Sequence, residues 1–133
     1  MRLKDVRHTR DLSSLPQLDG KAFTLVTIQD YYDGPLTGLV QQHNQHYWYE
    51  IIDSPLDGGS RYVIAQIDEE AVQDELYWDH LFSALVCDDR FRPSRNHPPE
   101  RQAMFYDAYR KRTPLDIENA GVIGWMYMWA AES

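Results

Sequence analysis

The sequence predicts an α+β domain: an antiparallel meander of four to five strands packed by one long helix, with a second helix and a C-terminal strand. Three observations predict it. Between residues 22 and 67, four runs rich in β-branched and aromatic residues are separated by short turn-forming segments. After Asp68 the apolar period changes from two to the three-and-four spacing of a helix. Near the end, Gly121 to Ala130 returns to an apolar run with strand alternation. Connections this short join antiparallel neighbours, because parallel strands need a crossover of a dozen residues or more.

The first strand is expected near Ala22–Gln29 and the second near Leu36–Gln42, joined through Asp33-Gly34-Pro35. That tripeptide is sufficient turn chemistry: Asp bonds its own downstream backbone, Gly takes positive φ, and Pro fixes φ. The third strand, His46–Ile52, alternates so that Tyr47, Tyr49 and Ile51 share one face and His46, Trp48, Glu50 and Ile52 the other. Asp53 to Ser60 is a loop, and Arg61–Ile67 is the fourth strand. Asp68-Glu69-Glu70 places acids where a helix N-terminus favours them. Through Asp89, Ala71, Val72, Leu76, Trp78, Leu81, Phe82, Leu85 and Val86 form one wide stripe, with Asp74, Glu75, Asp79 and Asp88 mostly off it. Arg90 to Pro99 is a basic, proline-containing break. Pro98-Pro99-Glu100 opens a second helix running to about Lys111, with Ala103, Met104, Ala108 and Phe105 inward. The last apolar run reads as a strand, a short buried helix being the alternative. Residues 1–20 read as a partly ordered arm pinned by Leu12, Leu15 and Leu18, and 21–133 as a single domain.

Charge is unevenly placed. The chain carries −8 overall, but residues 30–89 hold thirteen acids against one base, Arg61, whereas residues 90–112 hold seven bases against two acids. An acidic body disfavours general nucleic-acid binding, which needs a basic surface; the basic segment can neutralise that body within the molecule. One cysteine, Cys87, leaves no internal disulfide. The charged start Met1-Arg2-Leu3-Lys4-Asp5 does not resemble a signal peptide, and no run approaches a membrane span. A cytoplasmic protein without membrane attachment is therefore expected.

Motifs for chemistry are sparse. Cys87 sits among apolar neighbours, as an inert buried thiol does. Asp79 and His80 are adjacent, which on a helix points them apart. His43 and His46, with Glu50, invite a metal reading but suit a turn and a strand edge as well, so no metal site and no cofactor is expected. Asp30, Asp33 and Glu50 are candidates for paired carboxylates doing acid–base work. The candidate binding residues are Asp30, Tyr31, Tyr32, Asp33, Trp48 and Glu50: acids beside large rings, a composition suited to a recognition patch.

Tyr31-Tyr32-Asp33-Gly34-Pro35-Leu36, followed by Tyr47-Trp48-Tyr49-Glu50, resembles the opening of small uncharacterised bacterial domains. Those have a tyrosine-rich hairpin, a tryptophan- and tyrosine-rich strand and an acidic helix. The resemblance spans roughly residues 23–86 and implies no activity. It raises the standing of an immunity or inhibitor role, since small acidic bacterial domains include such proteins. The expectation is a non-catalytic binding protein with a protein partner, a basic one being suited because acidic patches steer basic targets. Two alternatives stand beside it. One is a small-molecule or nucleotide-binding domain using aromatic stacking and Arg92, Arg95 or Arg101; the other is a minor enzyme using the three carboxylates.

Overall fold

The computed structural model describes residues 1–31, 35–54, 59–86 and 99–127. It contains five strands, β1 (Thr24–Tyr31), β2 (Pro35–Gln42), β3 (Gln45–Asp53), β4 (Arg61–Gln66) and β5 (Gly121–Tyr127), and two helices, α1 (Glu69–Leu85) and α2 (Pro99–Lys111). The strands form one antiparallel sheet in the order β1-β2-β3-β4-β5. The α+β meander is therefore the architecture of the chain, with the C-terminal run as a strand. Expectations for the turn at 32–34, the loop at 55–58, Cys87, the basic break through 98 and the chain beyond 127 lie outside the described residues.

The alternation read in β3 is realised by register. Tyr49 pairs with Gly38 and Ile64, while Trp48 pairs with Leu39 and Ala65. On one face Leu39, Trp48 and Val63 join Val72 of α1 and Leu3, Val6 and Leu12 from the chain's start. On the other face Val40, Tyr49, Tyr62, Ile64 and Met126 form a second cluster with Phe23. Both faces of the sheet are thus apolar and buried. The first twenty-two residues do more than pin an arm: the first two of three short 3-10 turns set Leu3, Val6 and Leu12 into the core. This segment also pairs with β5, through bridges from Arg2 to Gly121 and from Gln17 to Trp125. Leu18 N–H donates to the Trp125 carbonyl at 2.7 Å, and Trp125 N–H to the Pro16 carbonyl at 3.0 Å.

Helix α1 starts where the acids predicted it. The Asp68 side chain caps it by accepting from the Ala71 N–H at 2.8 Å, and Glu69 and Glu70 occupy its first turn. In α2 the expected inward set is corrected. Ala103, Met104 and Ala108 are exposed, and Phe105, with Tyr109 beside it, is the residue that turns inward. Rings decide this packing: Phe105 lies edge-on to Phe82 and Trp78 of α1 with centroids 5.3 and 6.1 Å apart, and stacks on Tyr109 at 5.2 Å.

One polar chain crosses the sheet. Tyr49 Oη donates to the Thr27 carbonyl at 3.0 Å, passing over Gly38 on the neighbouring strand. A Cβ at Gly38 would stand 2.2 Å from that carbonyl oxygen and 2.8 Å from Tyr49 Oη, so only glycine admits the bond. Removing the hydroxyl leaves the buried carbonyl short of one partner. Tyr49→Phe is expected to lower stability by about 1 kcal/mol, read as a lower urea midpoint with an unchanged slope.

Candidate functional site

The Thr27 end of that chain leads to the site. Thr27 is fully buried in β1, and its Oγ1 accepts from the Leu39 N–H at 3.0 Å. With that lone pair used, its proton points to Glu75 Oε1, 3.4 Å away on α1. Glu75 is only 5% exposed. Among the described residues that hydrogen bond is its only one and it is long, and a buried carboxylate needs more than that to remain charged cheaply. Burial, reinforced by the like charge of Asp79 one helical turn on, pushes its pKa up to about 7; Thr27, and Arg112 through its charge, oppose the rise.

Glu75 lines a cavity of about 360 Å³ between α1, α2 and β1. The β1 side is Ile28, Gln29 and Asp30; the helical walls include Trp78, Phe82, Phe105 and Tyr109, with Tyr106 and Asp79 also present. The size falls at the small end of the usual range for ligand pockets, about 300–1,000 Å³. Among the described residues, three carboxylates and five aromatic rings border it, and no lysine or arginine lines it. Arg112 stands outside, its guanidinium carbon 3.8 Å from the centroid of the Tyr109 ring. Among the described residues, no three His, Cys, Asp or Glu side chains converge as metal ligands do.

The residues expected to bind are dispersed. Asp30 is exposed and borders the cavity. The side chain of Tyr31, and Tyr32 and Asp33, lie outside the described residues. Trp48 is 1% exposed in the core, which corrects its expected place on a surface patch: its strand lies inside the sheet, with α1 and the N-terminal turns over that face. Its Nε1 is buried without a hydrogen-bond partner. Glu50, on the same face, is half-buried, and burial raises its pKa against the opposing influence of the Trp48 indole and Arg7. The geometry closes no hydrogen bond between indole and carboxylate. Asp30 and Glu50 are both registered on Thr37, one from each side, which sets their backbones two strand spacings apart, about 10 Å. The two do not form a close carboxylate pair.

Sequence reasoning missed Glu75 by assigning it to the polar side of α1. A signal was present. Val72, Glu75, Asp79, Phe82 and Val86 follow one another at spacings of three and four, so Glu75 sits inside the apolar seam. His43 and His46 have structural roles: His43 takes φ 55° in the two-residue connection between β2 and β3, and His46 is paired in β3.

The fold and the cavity together define an antiparallel-meander α+β domain with an acidic, aromatic-walled cleft between its helices and its β1 edge. No known family matches the chain, and neither a curated protein nor a solved structure matches it.

Proposed function

We propose that this chain is a non-catalytic binding protein whose partner presents a positively charged group to the cleft between α1, α2 and β1. The single observation that carries the reading is Glu75: a carboxyl buried at a cavity wall of aromatic rings, with one long hydrogen bond among the described residues. Such a group is poorly compensated by the described residues and is well compensated by a cation. Aromatic faces add to cation binding in a desolvated site. The acidic run from residue 30 to 89 would draw a basic protein toward this side, which suits an immunity or inhibitor role.

The nucleotide alternative has less support, because the described part of the cavity lining is acidic and Arg101, its one described arginine, is exposed on α2 with Nη2 3.4 Å from the Ala84 carbonyl. An enzyme built on the candidate carboxylates has less support still, given the strand separation of Asp30 and Glu50. A lysine-containing peptide and its acetyl-lysine counterpart, titrated by calorimetry, test the proposal. The charged peptide is expected to bind at least tenfold more tightly, and Glu75→Gln to remove most of that difference. Equal affinity for the two peptides would end the reading.

A further inference from the structure

Resting on that reading, we infer that the cleft takes an alkylammonium group, and that Glu75 releases its proton to solvent as the ammonium enters. The exchange balances: a neutral carboxyl and R–NH₃⁺ become a carboxylate–ammonium pair, and one proton leaves to water.

The chemistry of the walls selects the ligand. Trp78, Phe82, Phe105 and Tyr109 offer apolar and π surface suited to an alkyl stem. The charged head then reaches Glu75, with Asp79 a turn away on the same helix. A guanidinium is a poorer occupant. Its five donors in a rigid fork call for a carboxylate that accepts two of them side by side, and one oxygen of Glu75 is already engaged by Thr27. A quaternary ammonium would bring the buried carboxylate no donor beyond the long bond from Thr27. A compact ammonium with N–H groups satisfies both the charge and the hydrogen bonding.

The proton release follows from the surroundings of Glu75. Asp74 and Asp79 on α1 favour its neutral form, and Asp30 of β1 stands at the same cavity. Tyr106 and Tyr109 of α2 are walls of the same cavity, and among the described residues Arg112 after α2 is the one cation acting on it. Burial outweighs Arg112, so the carboxyl holds its proton up to about pH 7. An arriving ammonium supplies a positive charge at the carboxyl and expels the proton.

The experiment is calorimetric titration of the full chain with n-butylammonium at pH 6, in two buffers of different ionisation enthalpy. Release of close to one proton per amine is expected, with affinity rising nearly tenfold between pH 5 and 6 and levelling above pH 8. Tetramethylammonium and n-butanol are expected to bind at least tenfold more weakly. Glu75→Gln is expected to weaken n-butylammonium at least tenfold at pH 8 and to abolish the pH dependence; Asp79→Asn should weaken binding less and keep the dependence. Binding of n-butylammonium with the same heat in both buffers would overturn the inference and leave the cation reading standing. If neither n-butylammonium nor tetramethylammonium binds, both fall. A lysine tetrapeptide that binds at least tenfold more tightly than n-butylammonium assigns the group to a partner protein, and equal affinity assigns it to a free amine.

Discussion

At pH 8 the Glu75→Gln variant is expected to be more stable than the parent by about 3 kcal/mol, and at pH 4 to differ from it little. Folding raises the pKa of this carboxyl from 4.5 to about 7. The folded chain therefore binds the proton more tightly than the unfolded chain, and stability falls as pH rises between those two values. Below 4.5 both states are protonated and the contribution is fully present; above 7 it is lost. The displacement corresponds to about 3 kcal/mol, at roughly 1.4 kcal/mol for each tenfold in proton affinity. Glutamine keeps the shape and cannot ionise, so its stability profile should lack this fall. Glu50, raised by burial, acts in the same sense, which is why the variant flattens the profile without levelling it. Urea titrations of parent and variant from pH 4 to pH 8 measure the difference. Parallel profiles would mean that Glu75 is compensated in the fold. A residue whose replacement stabilises the chain is also one whose retention calls for a role other than stability.

Gly38→Ala is expected to cost roughly 2–4 kcal/mol, the upper range for forcing atoms into a filled site plus one lost hydrogen bond. The added Cβ meets backbone, the Thr27 carbonyl at 2.2 Å, and backbone cannot step aside as the end of a side chain can. Strands β1 and β2 would have to part, and the Tyr49 bond would break with them. The double variant Gly38→Ala with Tyr49→Phe should therefore cost less than the two single losses added together, since the second change removes a bond already lost. Strict additivity in urea unfolding would show that the glycine and the tyrosine act separately. Because Thr27 also holds Glu75, the same substitution should disturb the cleft from the opposite side of β1.

The sheet was legible in the sequence because its signals are local. His46 to Ile52 alternates cleanly, the connections are short, and Asp68-Glu69-Glu70 opens a helix by a cap and a dipole that depend on nearby residues alone. The site was legible only at its rim. Asp30 does border the cavity, but Trp48 was read as surface because composition cannot say which of several strand aromatics the helices will cover. Glu75 reads as mostly off the apolar stripe because acids are rarely buried, and the exception depends on Thr27, forty-eight positions away. In α2 the apolar pattern favoured Met104 and Ala108. The aromatic partners on α1 turned Phe105 and Tyr109 inward, a preference that exists only once two helices meet.

The pairing of the chain's first residues with its last strand bears on how the molecule is made. Leu3 N–H donates to the Ala120 carbonyl, and Arg2 reaches the Asn119 carbonyl across a separation of 117 positions. A ribosome delivers Leu3, Val6 and Leu12 long before β5 exists to receive that segment. Their apolar side chains must wait, exposed, while the meander from β1 to β4 forms from near neighbours. Contacts of such long range close late and slow the final step. During that interval the nascent chain carries an unsatisfied greasy leader, the period in which a chaperone would find most to hold.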